Sequence, residues 1–209
     1  MLWILLGLII SYLVGSIPTA YIFGRIIKKT DIRKFGSGNV GATNALRLLG
    51  RGWGATVLVL DILKGFLPVV ILPSVIGAGA NIPLESFCII LGLSCICGHN
   101  WTIFLNFKGG KGVATTLGVL LGLSIKIAGL KIILGITILI WLVVFVISRT
   151  ISLASVLAAL SFPLLTVLFR QSIGLILIVT LLAAFIIFRH RSNIKRILKG
   201  QEPKLNFKK

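Results

Sequence analysis

Three observations predict an all-α, polytopic integral membrane protein. First, 57% of the 209 residues are hydrophobic, and they fall in blocks along nearly the whole length. Blocks such as Leu2–Phe23 and Gly129–Ser148 approach or exceed the ~20 residues with which a helix crosses a bilayer. Second, only 12% of residues are charged, where a soluble domain carries about 25%. Third, the basic residues behind a net charge of +18 sit between the blocks, which is how membrane topology is written into a sequence. The chain is read as a single domain, residues 1–209.

Seven spans are expected, at 2–23, 54–76, 84–105, 112–125, 129–148, 151–169 and 172–188. The first begins MLW, with no basic n-region, and is longer than a signal-peptide core, so it reads as a membrane helix. Pro73, Gly77, Gly79 and Pro83 punctuate the connection between the second and third. The third holds Cys88, Cys95 and Cys97, whose spacing matches no zinc pattern. These thiols are expected to pack as small hydrophobes. The fourth covers only about 21 Å at ~1.5 Å per residue, so a short or partly re-entrant helix is expected there. The last three follow in close succession.

Lysine and arginine fix the parity. With seven spans one side receives Arg25, Lys28, Lys29, Arg33, Lys34, Arg47, Arg51, Lys108, Lys111, Arg149 and the eight basic residues from Arg189 onward. The other side receives Lys126, Lys131 and Arg170. Basic loops stay in the cytoplasm, so the N-terminus is expected outside and the C-terminus inside. Nucleic acid is not the expected reason for the charge, since no soluble module could carry groove contacts. No internal repeat or low-complexity tract is present.

All four segments placed on the cytoplasmic side carry unusual polar residues, and loops that merely connect need none. The first is GSGNVGATN, Gly36–Asn44. Its glycines Gly36, Gly38 and Gly41 formally spell the dinucleotide fingerprint, but a strand and a βαβ unit are missing. What remains is an ordinary flexible loop or a phosphate cradle, and flexibility alone does not explain the polar side chains gathered here. Glycines let successive N–H groups turn toward one anion, while Ser37, Asn39, Thr43 and Asn44 add hydrogen bonds and Arg47 adds charge. The second segment is FKGGKGVATT. It is half a P-loop, with Gly112 after Lys111 where a magnesium-binding hydroxyl would stand. A nucleotide with its metal is therefore not expected. Lys108, Gly109, Gly110, Lys111 and Gly112 before a helix N-terminus suit a bare anion instead. The third, RTISLAS, places Ser152 and Ser155 on one helical face. The fourth, FRHRSNIKRILKGQEP, reads as a basic juxtamembrane helix on anionic lipid. That reading does not account for His190, Asn193 or Glu202. Deeper in the bilayer, Asp61 and Lys64 of DILKG lie three apart and can pair as structural support. His99 of GHNW is a candidate ligand or base, or a histidine hydrogen-bonded into the bundle.

Taken in order, GSGNVGATN, DILKG, GHNWTIFLNFKGGKGVAT, SLAS and HRSNIKRILKGQE closely resemble the bacterial acyl-phosphate:glycerol-3-phosphate acyltransferases, the PlsY family. The resemblance spans essentially the whole chain. It implies transfer of an acyl chain from acyl phosphate to the 1-hydroxyl of glycerol 3-phosphate, the first acylation of phospholipid synthesis, in the bacterial cytoplasmic membrane. It places Ser37 and Arg47 in a first essential motif. The FKGGKG glycines with Lys111 form a second, associated with glycerol phosphate. His190 and Asn193 belong to a third, where Glu202 is mainly structural, and Ser155 is the matching serine of the fifth-to-sixth connection. Both substrates carry phosphate, as the anion-binding segments require, and acyl phosphate brings its own leaving group. The His-x4-Asp dyad of other glycerol phosphate acyltransferases is absent, because Phe104 follows His99 and Lys195 follows His190 at that spacing. No cofactor, no metal and no obligate protein partner are expected beyond the two substrates and the lipid bilayer. The competing reading is a transporter of an organic phosphate, which would favour inverted repeats and polar residues at mid-membrane.

Overall fold

The first hydrophobic block is two helices, not one. Helix α1, Leu2–Ser16, ends at Ile17, whose ψ of 113° is extended. Pro18 follows, and the residue before a proline is pushed out of the helical region. The chain then resumes as α2, Thr19–Lys28. The computed structural model describes residues 1–205, and among these every regular element is helical. They form two units, Met1–Ile127 and Ala128–Lys209.

In the first unit α2 leads through a loop into α3, Ala42–Leu49, and then into α4, Arg51–Ile76. Helix α5, Leu84–Asn100, and α6, Val113–Lys126, complete it. The expected third span therefore ends as helix at Asn100, and a 3-10 turn at Ile103–Leu105 continues it. Thr102 caps that turn through its side chain.

The buried residues of α1 are Gly7, Ser11, Gly15 and Ser16, so its aliphatic side faces outward. That inversion suits lipid, where close approach of small residues replaces hydrophobic burial. A Cβ at Gly15 would collide with the Cys95 carbonyl, and one at Gly118 with that of Ile62, so α1 meets α5 and α4 meets α6 backbone to backbone. Hydroxyls fasten the first of these pairs. The Tyr12 hydroxyl donates to the Trp101 carbonyl (2.7 Å), Ser94 Oγ to that of Leu8 (2.7 Å) and Thr102 Oγ1 to that of Ser16 (2.6 Å). Below the loop between α2 and α3 lies an apolar cluster that includes Ala20, Ile32, Val40, Ala45, Val57 and Leu105.

The second unit is α7, Leu130–Ser148; α8, Ile151–Leu168; α9, Ile173–Arg189; and α10, Arg191–Leu198. Helix α10 turns away from α9 by 60° at His190. Leu139, Val146 and Ile147 of α7 are 59%, 71% and 79% exposed, which suits a surface facing hydrocarbon. Each of the seven stretches expected to span the membrane contains helix. Among the described residues five candidates are long and apolar enough to cross, the first of them α1 and α2 together, and a sixth is counted if α9 and α10 form one bent span. The 14-residue α6 is the short one.

Candidate active site

In the first unit the loop between α2 and α3 is built before it can bind anything. Asp31 opens it, accepting the Arg33 N–H at 3.0 Å and pairing with the Arg33 guanidinium at 2.7 Å. The hydrogen bonds from Arg33 hold the Asp31 carboxyl down at about 2. Arg33 is thus paired inside its own turn. Gly36 and Gly38 then take φ values of 55° and 68°, in the left-handed region that favours glycine. A Cβ on Gly36 would also strike Asn44 Oδ1.

Asn44 is fully buried and fastens the loop. Its Oδ1 accepts the Ser37 N–H (3.1 Å), and its Nδ2 donates to the carbonyls of Ile32 (3.1 Å) and Phe35 (2.9 Å). The sequence suggested Asn44 as a phosphate contact; the structure gives its amide to the loop. Ser37 is exposed, and its Oγ accepts the Asn39 N–H at 3.4 Å. Thr43 and Arg47 are half-buried on α3. The Gly41 carbonyl accepts the N–H groups of both Asn44 and Ala45 at 3.0 Å. The Ala42 and Thr43 amides lie ahead of that first intrahelical bond, where a helix start presents donors.

The loop between α5 and α6 uses its glycines differently from the cradle expected of them. Gly109 N–H donates to the Asn100 carbonyl (3.1 Å) and Gly110 N–H to that of His99 (3.0 Å). Phe107 and Lys108 likewise donate to Thr102 and Leu105. The loop is folded back on the end of α5, and these amides serve its closure. The first helical bond of α6 runs from Thr116 to the Gly112 carbonyl at 2.7 Å. The first turn of α6, beside Lys111, is therefore where this segment presents donors to an anion. Buried close by are the carboxamide of Asn100 and the hydroxyls of Thr115 and Thr116, all without a protein partner. A Cβ on Gly112 would lie 2.9 Å from Asn100 Oδ1.

The two glycine segments meet. A Cβ on Gly110 would collide with His99 Nε2 and lie 3.0 Å from the Val40 carbonyl of GSGNVGATN. Val40 and Leu105 belong to one apolar cluster, which holds both segments from beneath. Sequence reasoning gave Val40 no role; its signal was being the one branched aliphatic residue in a run of small ones.

In the second unit Asn193 is the centre of a network. Its Nδ2 donates to Ser152 Oγ (2.7 Å) and Glu202 Oε1 (2.6 Å). Ser152 Oγ donates to the same carboxylate oxygen (2.6 Å), and Arg196 Nε to Oε2 (2.7 Å). Burial pushes the Glu202 carboxyl up, but the bonds from Ser152, Asn193 and Arg196 outweigh it and hold the group below its ordinary value. Leu205 N–H donates to the Arg149 carbonyl (2.8 Å), fixing the tail to the α7–α8 turn. His190 is buried at the α9–α10 bend, with Nδ1 2.8 Å from the Ile186 carbonyl. Ser155 lies one turn beyond Ser152, where it bonds the Ile151 carbonyl (2.9 Å) and accepts from Trp141 Nε1 (3.2 Å). The role of Trp141 had no sequence signal, since an indole in an apolar helix reads as packing.

The glycerol-3-phosphate acyltransferase family model matches residues 5–200. A glycerol-3-phosphate acyltransferase of Thermoanaerobacter sp. (strain X514) is 41% identical over 207 residues, which is 99% of this chain and 98% of that protein. Glycerol-3-phosphate acyltransferase 2 of Moorella thermoacetica is 47% identical over 201 residues, 96% of this chain and 97% of that protein. Among solved structures, the glycerol 3-phosphate form of PlsY, an integral membrane glycerol 3-phosphate acyltransferase, superposes with a TM-score of 0.84 at 37% identity, covering 97% of this chain and 96% of that one. Its lysophosphatidic acid form gives 0.80 at 36% identity, covering 97% and 95%.

Proposed function

The chain belongs to the glycerol-3-phosphate acyltransferase family, and from that premise we propose that it moves an acyl chain from acyl phosphate to the 1-hydroxyl of glycerol 3-phosphate. The products are lysophosphatidic acid and inorganic phosphate. The observation that carries this reading is full-length likeness to an acyltransferase seen with both glycerol 3-phosphate and lysophosphatidic acid. It is supported by two anion-suited segments that touch at Gly110.

Ser37, Thr43 and the amides at the start of α3 hold the acyl phosphate headgroup. Arg47, Lys111 and the first turn of α6 hold glycerol 3-phosphate by charge and N–H donation. Gly36, Gly38 and Asn39 shape the first cradle, and Lys108 adds charge beside the second. His190 and Asn193 orient the glycerol end, with Ser155 in support. Both amide hydrogens of Asn193 are already given to Ser152 and Glu202, so donation to phosphate is left to the cationic side chains, the Ser37 and Thr43 hydroxyls and the helix-start amides. Catalysis is mostly positioning and stabilisation of developing charge. Acyl phosphate is an activated donor, and a substrate phosphate oxygen accepts the proton. Seven spans, with the glycine segments and the basic tail in the cytoplasm, follow from the lysine and arginine distribution.

Purified protein given acyl phosphate and glycerol 3-phosphate forms lysophosphatidic acid and releases phosphate. An organic-phosphate transporter would release none. Arg47→Ala and Lys111→Ala lose this activity by about a hundredfold or more while melting as the parent does. Full activity in both overturns the residue assignments.

A further inference from the structure

The buried pair on α4 does more than neutralise itself. Asp61 and Lys64 are 1% and 6% exposed, with Lys64 Nζ 2.7 Å from Asp61 Oδ1. Each also reaches another element. Lys64 Nζ donates to the Ile17 carbonyl (2.8 Å), at the break that Pro18 forces after α1. Thr19, the first residue of α2, donates its hydroxyl to Asp61 Oδ1 (2.6 Å). The pair therefore grips both sides of the break whose exit, α2, leads into GSGNVGATN.

The same oxygen faces α5. His99 Nδ1 lies 3.8 Å from Asp61 Oδ1. The other edge of that imidazole is where Gly110 seats, so close that a Cβ there would collide with Nε2. The His99 carbonyl in turn receives the Gly110 N–H (3.0 Å). The α4 carboxylate, the α5 imidazole and the glycine loop thus stand in sequence. A buried ion pair repays its desolvation only when further hydrogen bonds satisfy its remaining donors and acceptors, and here those bonds come from the two sides of the α1–α2 break.

We propose that Asp61 is a positioning residue for the acyl-transfer reaction, one that holds the α1–α2 break through Thr19 and Lys64 and the FKGGKG loop through His99. The proposal rests on the acyltransferase reading given above. Asp61 touches no substrate. It sets the register in which the Gly110 and Val40 segments meet, and so the geometry of the phosphate-binding donors on either side.

Four purified variants test it, with melting temperature, kcat and KM for glycerol 3-phosphate as readouts. Asp61→Asn alone strands a buried ammonium and melts early. Asp61→Asn/Lys64→Met removes both charges together and melts near the parent, but its KM for glycerol 3-phosphate rises about ten- to hundredfold while kcat falls less. His99→Gln leaves the ion pair whole and shows the same split. Combining it with the double variant adds little further, because the effects run through one chain of contacts. Parental KM and kcat in a folded double variant overturn the proposal. Should that variant not fold, His99→Gln decides alone, and parental kinetics in it overturn the proposal equally. A parent protein that forms no lysophosphatidic acid overturns the function reading and this proposal with it. An active parent with unchanged variants overturns the positioning role alone.

Discussion

Asn44 illustrates how a polar residue in a binding motif can serve the motif and not the ligand. Its carboxamide satisfies one donor and two acceptors of the loop at once, and each buried group left without a partner costs about 1–3 kcal/mol. Asn44→Ala should therefore lower the melting temperature in detergent and weaken activity through loss of loop order. Asn44→Asp keeps the acceptor for Ser37 but sets a buried carboxylate oxygen against the Ile32 and Phe35 carbonyls, so it should recover none of that stability. Gly110 makes the complementary case, where the missing side chain is the functional feature. A Cβ there meets the His99 ring and the Val40 carbonyl together, and neither is the loose end of a flexible chain. Gly110→Ala should cut kcat/KM by about a hundredfold, read as lysophosphatidic acid formed per minute, with helix content by circular dichroism unchanged.

At the scale of elements, α10 and the tail are held largely by one carboxylate. Glu202 gathers Ser152 from α8 and Asn193 and Arg196 from α10. Its folded pKa lies below the unbound value of 4.5, so it contributes stability above that value and loses it as pH falls through the lowered one. Hydrogen exchange across 191–198, corrected for its intrinsic pH dependence, should rise on acidification below about 4.5. Glu202→Gln should show the faster exchange already at neutral pH and lack the acid step. Helices were the legible part of this architecture. Long apolar blocks foretold them, and Pro18 carried the signal for the break that the block reading passed over. The end of α5 at Asn100 was not legible, because Trp101–Leu105 is as apolar as the helix before it and only the Thr102 cap distinguishes it. The convergence of Ser152, Asn193 and Glu202 was out of reach too: residues 152 and 202 lie 50 positions apart, and no local spacing encodes such a pairing.

For the whole molecule, the distribution of basic residues makes a prediction that the fold alone does not. Cysteines placed at Lys34 and Gln201 should react with a membrane-impermeant maleimide only after the inner face is opened, and one at Gln171 should react in intact cells. Equal labelling of all three from outside overturns the seven-span topology. The candidate site was legible as a set of segments, since small, hydroxyl, amide and basic residues stand out against an apolar background. Its assembly was not. The contact between Gly110 and Val40 and the role of His99 as a seat for the loop depend on how α4, α5 and α6 pack.

Cys88 and Cys95 are buried and Cys97 is exposed, and no other thiol occurs in the chain. The natural protein thus carries one thiol on the outward, lipid-facing side of α5, two residues before His99, where a membrane-permeant reporter can be attached. A nitroxide or fluorophore there would read the local depth and motion of α5 as substrates are added, without a cysteine-free background being made first.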